Sequence, residues 1–213
     1  MAAPEIKICG LRTPEALDAT IGARADYAGF VFYPPSPRHL DLAEAAALAA
    51  RADGRITRVG LFVDADDAMI AEAIAAARLD VLQLHGKETP ERAAQVKARF
   101  GLPLWKALPV AAKEDVERAR AYAGAADLIL FDAKTPKGAL PGGMGLSFDW
   151  SLLAGIRLPL RWGLAGGLNP DNVAEAIRVT GTGLVDTSSG VESAAGVKDV
   201  DRIAAFCAAA RAA

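Results

Sequence analysis

The sequence predicts a single domain over residues 1–213, folded as a (β/α)8 barrel. A short apolar run, a polar turn and an Ala-rich amphipathic stretch recur in this order eight times, without a break in composition. The eighth run leads into a Ser/Gly-rich loop. The length of 213 residues lies near the short end of the ~200 to 400 residues typical of this fold. A doubly wound open sheet uses the same units and is the alternative.

The eight apolar runs are predicted to be the strands. They are short, bounded by turn residues and mostly rich in Val, Ile, Leu and Phe, which is typical of buried parallel strands. The runs are Ile6–Gly10, Tyr27–Tyr33, Arg58–Asp64, Val81–His85, Pro103–Leu108, Asp127–Asp132, Leu160–Gly166 and Gly183–Thr187.

The stretches between these runs are predicted to be helices. Several begin with an N-cap, a first-turn proline and an acid, which together favour a helix start. These starts are Thr13–Glu15, Thr89–Glu91 and Asn169–Asp171. Capping or acidic residues also open Asp41–Ala52, Asp66–Arg78 and Asp199–Ala212. After the sixth strand, the least distinct helix is expected to start near 148–150, behind a Gly-rich loop.

Composition excludes several classes of partner. The net charge of −2 gives no electrostatic case for nucleic acid or an anionic membrane. No apolar run approaches ~20 residues, and the first ten residues do not resemble a secretory signal. Two cysteines nearly 200 positions apart suggest neither a disulfide framework nor a zinc site, so a cytoplasmic location is expected. The sequence leaves open whether the protein is a monomer or a homodimer.

Reactive side chains and glycines occupy the ends of most predicted strands. In a (β/α)8 barrel the active site lies at the carboxyl ends of the strands, so these residues are the candidates for chemistry. They are Cys9, Asp64, Gln83, His85, Asp132, Gly166, Gly167, Asp186, Ser188, Ser189 and Gly190.

Side-chain alternation directs two of these candidates into the barrel. In the first strand, Ile6 and Ile8 share the face expected to meet the helices. Lys7 and Cys9 then point inward. In the sixth strand the same alternation puts Asp132 at the top of an inward column. A thiol and a carboxyl group would therefore face each other across a bound substrate.

Each candidate also has a purely structural interpretation. A lone buried cysteine is usually a small core residue, and an aspartate at a strand end often caps the next loop. His85 is more often a hydrogen-bonded residue at the rim than a ligand, and Cys207 is expected to pack within the last helix. His39 and His85 have no cysteine or carboxylate at ligand spacing, so no metal site is predicted.

The loops after the last two strands predict a phosphate site. The seventh strand ends in GLAGGLNPDN and the eighth in VDTSSGVE. Glycines let a phosphate approach the main chain, where several N–H groups can converge on it, and these two loops are the usual phosphate site of this fold. Ordinary turn chemistry is the alternative. A third loop, with four glycines between Lys137 and Gly145, is either a lid over the site or a surface excursion.

Seven segments together resemble the phosphoribosylanthranilate isomerase family of tryptophan biosynthesis. They are KICG at 7–10, GFVFYPPSPR at 29–38, VGLFVD at 59–64, LQLHG at 82–86, GLSFDW at 145–150, LAGGLNPDNV at 164–173 and DTSSGVE at 186–192. Any one is weak, but their order and their placement at strand ends are specific. The resemblance covers nearly the whole chain.

The resemblance implies an Amadori rearrangement, the third step from chorismate in tryptophan biosynthesis. N-(5-phosphoribosyl)anthranilate would become 1-(2-carboxyphenylamino)-1-deoxyribulose 5-phosphate, with no metal or organic cofactor. Cys9 matches the family's general base, Asp132 its general acid, and Arg38 its contact to the anthranilate carboxylate. His85 and Asp186 would line the site. The phosphate cradle would be Gly166, Gly167, Ser188, Ser189 and Gly190.

The mechanism requires a thiolate, and Lys7 is a candidate for lowering the pKa of the Cys9 thiol. Two departures from the family pattern stand out. Met144 replaces a hydroxyl residue in the loop that the family writes Gly-Gly-Thr-Gly, which puts loop closure in doubt, and Thr187 replaces Val. The alternatives are a non-catalytic phosphosugar-binding barrel, or another sugar-phosphate barrel such as a ribulose-phosphate epimerase or indole-glycerol-phosphate synthase.

Overall fold

Eight parallel strands close into a barrel in the order of the chain. The computed structural model describes residues 3–134 and 145–213. Its closed sheet confirms the predicted barrel and excludes the open sheet. The strands are β1 Glu5–Cys9, β2 Tyr27–Phe32, β3 Thr57–Phe62, β4 Val81–Leu84, β5 Leu104–Val110, β6 Leu128–Ala133, β7 Arg161–Leu164 and β8 Leu184–Thr187.

Helices connect the strands on the outside of the barrel. They are α1 Pro14–Gly22, α2 Leu42–Ala52, α3 Asp67–Ala77, α4 Pro90–Phe100, α5 Lys113–Glu117, α6 Val173–Thr180 and α7 Val200–Arg211. Thr13, Asp41 and Asp66 are N-caps whose side chains accept backbone N–H groups of the first turn, as predicted. Within the described residues, no helix has the length and apolar character needed to span a bilayer.

Two predicted helices differ from the structure. The stretch after β6 forms only a short 3-10 helix, Trp150–Leu153, with Asp149 as its cap. After β7, the Asn169 side chain caps a turn by accepting the N–H groups of Asp171 and Asn172, so α6 starts later than predicted. The glycine-rich loop from Lys137, including Met144, lies outside the described residues up to position 144.

A small two-stranded ribbon after β8 was not predicted. A 3-10 helix, Ser189–Val191, leads into β9, Glu192–Ala194, which pairs antiparallel with β10, Val197–Lys198. The register places Lys198 opposite Glu192. These strands of three and two residues are too short to show an alternating pattern in the sequence.

The alternation along β1 separates the barrel interior from the layer under the helices. Ile6 and Ile8 are fully buried in the core between strands and helices. Cys9 instead packs on Val31 and Leu61 inside the barrel. The interior towards the amino ends of the strands is filled by Tyr27, Val59, Val81, Trp105, Ala107, Leu128, Leu130 and Leu184. This apolar filling closes one end of the barrel and leaves the other end for polar groups.

An aspartate before each of three even-numbered strands clamps the start of the preceding strand. The Asp26 main-chain N–H donates to the Ile6 carbonyl, and its carboxylate accepts the Ile6 N–H at 2.8 Å. Asp80 makes the same two bonds with Arg58 before β4, and Asp127 does so with Leu104 before β6. Because a parallel strand starts with unpaired backbone groups, each clamp satisfies both at once.

We expect replacement of Asp80 by Ala to lower the free energy of unfolding by about 1 to 2 kcal/mol, since the Arg58 N–H and guanidinium both lose an acceptor. Burial alone would raise the pKa of Asp80, but its bonds with Arg58 hold that pKa below the ordinary 3.8. The carboxylate therefore stabilises the fold above the ordinary pKa, and this contribution is lost as the pH falls through the lower folded-state pKa.

Denaturant unfolding of both proteins at neutral and acidic pH measures this effect. Glu72→Ala, on the exposed face of α3, is the matched control and should leave stability unchanged within about 0.5 kcal/mol. A difference between Asp80→Ala and the natural chain that did not shrink in acid would contradict the role assigned to the carboxylate.

Candidate active site

One pocket at the carboxyl ends of the strands brings together the ten residues that the family resemblance assigned to the site. Side chains or main-chain atoms of all ten line it: Cys9, Arg38, His85, Asp132, Gly166, Gly167, Asp186, Ser188, Ser189 and Gly190. They come from the ends of β1, β4, β6, β7 and β8 and from the loop after β2. The apolar part of the wall includes Val31, Leu61, Val63 and Leu168.

Cys9 ends β1 and points into this pocket, with 5% of its surface exposed. Its neighbour across the sheet is Gly29, the register partner on β2. A Cβ atom at Gly29 would lie 2.9 Å from both Cα and Sγ of Cys9, closer than real side chains approach. A glycine on β2 therefore provides the space that the thiol occupies.

A buried ion pair lies beside the thiol. Lys7 is fully buried on the same inward face of β1, and its Nζ donates to Oδ1 of Asp186 at 3.0 Å. The two residues are register partners on β1 and β8, the strands that close the barrel. Burial opposes the charge on Lys7, but its interactions with Asp186 and Cys9 raise the pKa of this lysine, so it stays an ammonium.

The charges around Cys9 act on it in opposite directions. Burial raises the pKa of the Cys9 thiol above its ordinary value, and the Asp186 carboxylate adds to this rise. The ammonium groups of Lys7 and, more weakly, Lys198 lower it. The sequence-based expectation that Lys7 favours the thiolate has the right direction, but burial outweighs it. The free protein therefore holds a protonated thiol at neutral pH.

The Asp132 carboxyl group is the end of a hydrogen-bonded chain of three side chains. Its Oδ2 lies 3.1 Å from Nε2 of His85, and the other ring nitrogen lies 3.2 Å from Nε2 of Gln83. Its Oδ1 accepts the N–H of Ala133. If the Gln83 amide donates to Nδ1, the ring proton is on Nε2. In that tautomer His85 donates to Asp132.

Asp64, at the end of β3, has a structural position outside the pocket. Its Oδ1 accepts the N–H of Lys87, and its own N–H donates to the Glu88 carboxylate. Glu88 pairs in turn with the buried Lys106 ammonium at 3.0 Å. This network fixes the loops after β3 and β4 against each other.

The loops after β7 and β8 are locked against each other. The Leu168 carbonyl accepts the hydroxyl of Thr187 at 2.6 Å. A Cβ atom at Gly190 would collide with the same carbonyl oxygen, so only glycine allows this close approach. The glycines of these loops therefore have a packing role whether or not they contact a ligand.

Arg38 lies in a charged cluster that the sequence did not predict. Its Nε and Nη2 donate to the two carboxylate oxygens of Glu192 at 2.8 and 2.7 Å. Lys198 donates to Oε1 of the same carboxylate at 2.7 Å. Glu192 was part of the quoted DTSSGVE segment, but no role could be assigned to it without the unpredicted ribbon. Gln83 was noted at its strand end, but its contact with His85 depends on side-chain geometry.

Among the described residues, no three or more His, Cys, Asp or Glu side chains are arranged to hold a metal ion. The pocket lies where enzymes of the (β/α)8-barrel class bind and convert their substrates. The chain is an enzyme of that class, and sequence comparison identifies the family within it.

The sequence model of the N-(5'phosphoribosyl)anthranilate (PRA) isomerase family matches residues 6–209. An N-(5'-phosphoribosyl)anthranilate isomerase from Paramagnetospirillum magneticum is 54% identical over 208 residues, which is 97% of each chain. The chain therefore belongs to this family of isomerases. This confirms the resemblance drawn from the seven segments.

Solved structures agree with this assignment. Phosphoribosyl anthranilate isomerase from Thermotoga maritima matches with a TM-score of 0.88 and 36% identity, over 99% of this chain and 100% of that one. A phosphoribosyl anthranilate isomerase in complex with reduced 1-(o-carboxyphenylamino)-1-deoxyribulose 5-phosphate matches with a TM-score of 0.86 and 34% identity, with the same coverage.

Replacement of Lys7 by Met should raise the pKa of the Cys9 thiol further, because it removes the strongest influence that lowers it. The pKa is measured from the ultraviolet absorbance of the thiolate during a pH titration. A Cys207→Ala background leaves Cys9 as the only thiol, and the variant without either cysteine gives the blank.

Lys113→Met, on the exposed start of α5, is the control and should not shift the titration. An unchanged pKa in Lys7→Met would show that the Lys7 charge does not reach the thiol.

Proposed function

We propose that this chain isomerises N-(5'-phosphoribosyl)anthranilate with Asp132 as the general acid and Cys9 as the general base. The reaction and its place in tryptophan biosynthesis follow from membership of the isomerase family. The observation that supports the two roles is that a thiol on β1 and a carboxyl group on β6 line one pocket. Both strands end there with inward side chains.

The first step is opening of the ribose ring. The Asp132 carboxyl group gives its proton to the ring oxygen, and the bond between that oxygen and C1 breaks as the anilino nitrogen forms a cationic Schiff base. The carboxylate left behind is stabilised by the Ala133 N–H and, in the tautomer with the ring proton on Nε2, by the Nε2–H of His85.

The second step moves a proton from C2 to the Cys9 sulfur. The electrons of the C2–H bond pass to the Schiff base, which becomes a neutral enolamine. The enol then loses its O–H proton while C1 gains one, which gives the aminoketose. Cys9 must be a thiolate for this step, whereas burial keeps it protonated in the free protein. Positive charge on the Schiff base, added to that of Lys7, lowers the pKa of the thiol, and the thiol proton leaves to solvent before the C2 proton is taken.

Two further groups suit the two anionic ends of the substrate. Arg38 is proposed to bind the anthranilate carboxylate, because a planar guanidinium matches a carboxylate. The phosphate is assigned to Gly166, Gly167, Ser188, Ser189 and Gly190, and the short 3-10 helix at Ser189–Val191 supports this, since barrels often bind phosphate beside such an extra helix. His85 and Asp186 line the wall between these ends.

The extent of the domain, the location and the partner of the chain are also proposed. We propose that residues 1–213 are one domain, which the family match over 6–209 and the closed barrel support. A cytoplasmic location agrees with a base that must stay a free thiol, because a reducing compartment preserves thiols. The partner is the small phosphoribosyl substrate.

Cys9→Ala and Asp132→Asn should each lower kcat by about 100- to 10,000-fold, because each removes one proton-transfer group. The assay follows turnover of phosphoribosylanthranilate. Cys207→Ala, in a buried position of α7, is the matched control and should keep full turnover. Normal turnover in both variants of the proposed catalytic residues would refute the mechanism.

Arg38→Ala should raise KM by about 10- to 100-fold, the loss of a charge-assisted hydrogen bond, with a smaller change in kcat. Initial rates across substrate concentrations separate the two constants. Arg120→Ala, on the exposed 3-10 helix after α5, serves as the control. A normal KM in Arg38→Ala would remove this residue from the substrate site.

A further inference from the structure

We propose that Glu192 and Lys198 are positioning residues for Arg38. Glu192 orients the guanidinium, and Lys198 offsets the charge of Glu192, so that the cluster keeps one positive charge that attracts the substrate carboxylate. The inference rests on the proposed role of Arg38 as the carboxylate contact. It concerns a cluster at the junction of the ribbon with the loops after β2 and β8. The cluster lies beside the pocket, and Arg38 is its only member among the pocket-lining residues.

Glu192 holds one edge of the Arg38 guanidinium. The bond from Nε to Oε1 and the bond from Nη2 to Oε2 form a parallel pair, which fixes the plane of the guanidinium as well as its position. Both side chains are buried, with exposures of 9% and 4%. The Glu192 carboxylate is itself fixed, since Oε2 also accepts the Gly196 N–H.

Lys198 fills the other side of the same carboxylate. Its side chain is only 1% exposed, and Nζ donates to Glu192 Oε1 at 2.7 Å. Nζ also reaches the carbonyl of Ser188 at 2.9 Å and its hydroxyl at 3.3 Å. These three acceptors satisfy an ammonium, which supports the charged form although burial lowers the pKa of Lys198.

The charges of this cluster do not cancel. Two cations, Arg38 and Lys198, share one anion, Glu192, so the three side chains sum to one positive charge. Excess charge in a buried cluster is costly unless another charge balances it. An anionic ligand beside Arg38 would complete the balance. Without Lys198, Arg38 and Glu192 would be a neutral pair with little attraction for a carboxylate.

The cluster also connects the two ends of the proposed substrate. Ser188 belongs to the loop assigned to the phosphate, and its hydroxyl donates to the Cys9 carbonyl at 3.1 Å. Lys198 therefore contacts the phosphate loop and, through Glu192, the carboxylate-binding arginine. The ribbon makes both contacts possible because its register places Lys198 opposite Glu192.

Calorimetric titration with two fragments, anthranilate and inorganic phosphate, separates these effects. Lys198→Met should weaken anthranilate binding by about tenfold or more, as loss of a charged interaction does, and it should weaken phosphate binding because Ser188 loses its partner. The double variant Glu192→Gln, Lys198→Met removes one negative and one positive charge, so the cluster again carries the single net positive charge of Arg38. Anthranilate binding should recover in part, whereas phosphate binding should not.

Kinetics with the full substrate provide a second readout. The charge effect predicts a raised KM in Lys198→Met, a smaller change in kcat and a normal KM in Lys198→Arg. Lys113→Met is the surface control and should alter neither fragment. If Lys198→Met does not fold, Lys198→Gln keeps a donor for Ser188 while removing the charge, and it should show the same loss of anthranilate.

Two results would overturn the inference: unchanged anthranilate affinity in Lys198→Met, or a double variant that binds anthranilate no better than Lys198→Met. Arg38→Ala distinguishes this failure from failure of the proposed function. If Arg38→Ala abolishes anthranilate binding while the other variants do not, only the roles of Lys198 and Glu192 are wrong. If Arg38→Ala binds anthranilate normally, the proposed carboxylate contact is wrong as well.

Discussion

The ion pair between Lys7 and Asp186 links the closure of the barrel to its chemistry. The two residues are register partners on β1 and β8, so a slip of either strand would leave a buried charge without its partner. Cys9 lies two residues further along the same inward face. The ion pair that fixes the register of β1 on β8 therefore also fixes the charges beside the thiol. A change in that register would change the electrostatics of Cys9.

The barrel interior is divided into an apolar end and a charged end. Aromatic and branched side chains fill the amino-terminal end. The rings of Tyr27 and Trp105 make an edge-to-face contact there. At the opposite end the same closed wall excludes water from Lys7, Asp186 and Cys9. Charges in such a setting interact more strongly than in solvent. The packed end thus strengthens the interactions of Lys7 with Asp186 and Cys9 at the other end.

The barrel and the inward direction of Cys9 and Asp132 could be predicted from the sequence because both depend on regular spacing, whereas Arg38 was singled out only by the family resemblance. The period of two places Cys9 inward, and eight repeated units predict closure. Side-chain pairs across the barrel depend on strand stagger, which no pattern in one sequence reveals, so the contact between His85 and Asp132 was missed. The cluster of Glu192 and Lys198 was missed because its ribbon is too short to be periodic. The predicted start of α6 was wrong because the Asn169 side chain caps a turn instead of the helix.

The aspartate clamps at the other end of the barrel recur before β2, β4 and β6, once in every two strand–helix units. Each clamp joins an odd strand to the even strand that follows it, so three of the four strand pairs are self-contained at their starts. New chain termini placed in α2 or α4 would leave every clamp within a continuous segment. Termini placed in α1 or α3 would separate an aspartate from its strand. The clamps should therefore survive circular permutation between these strand pairs better than permutation within them.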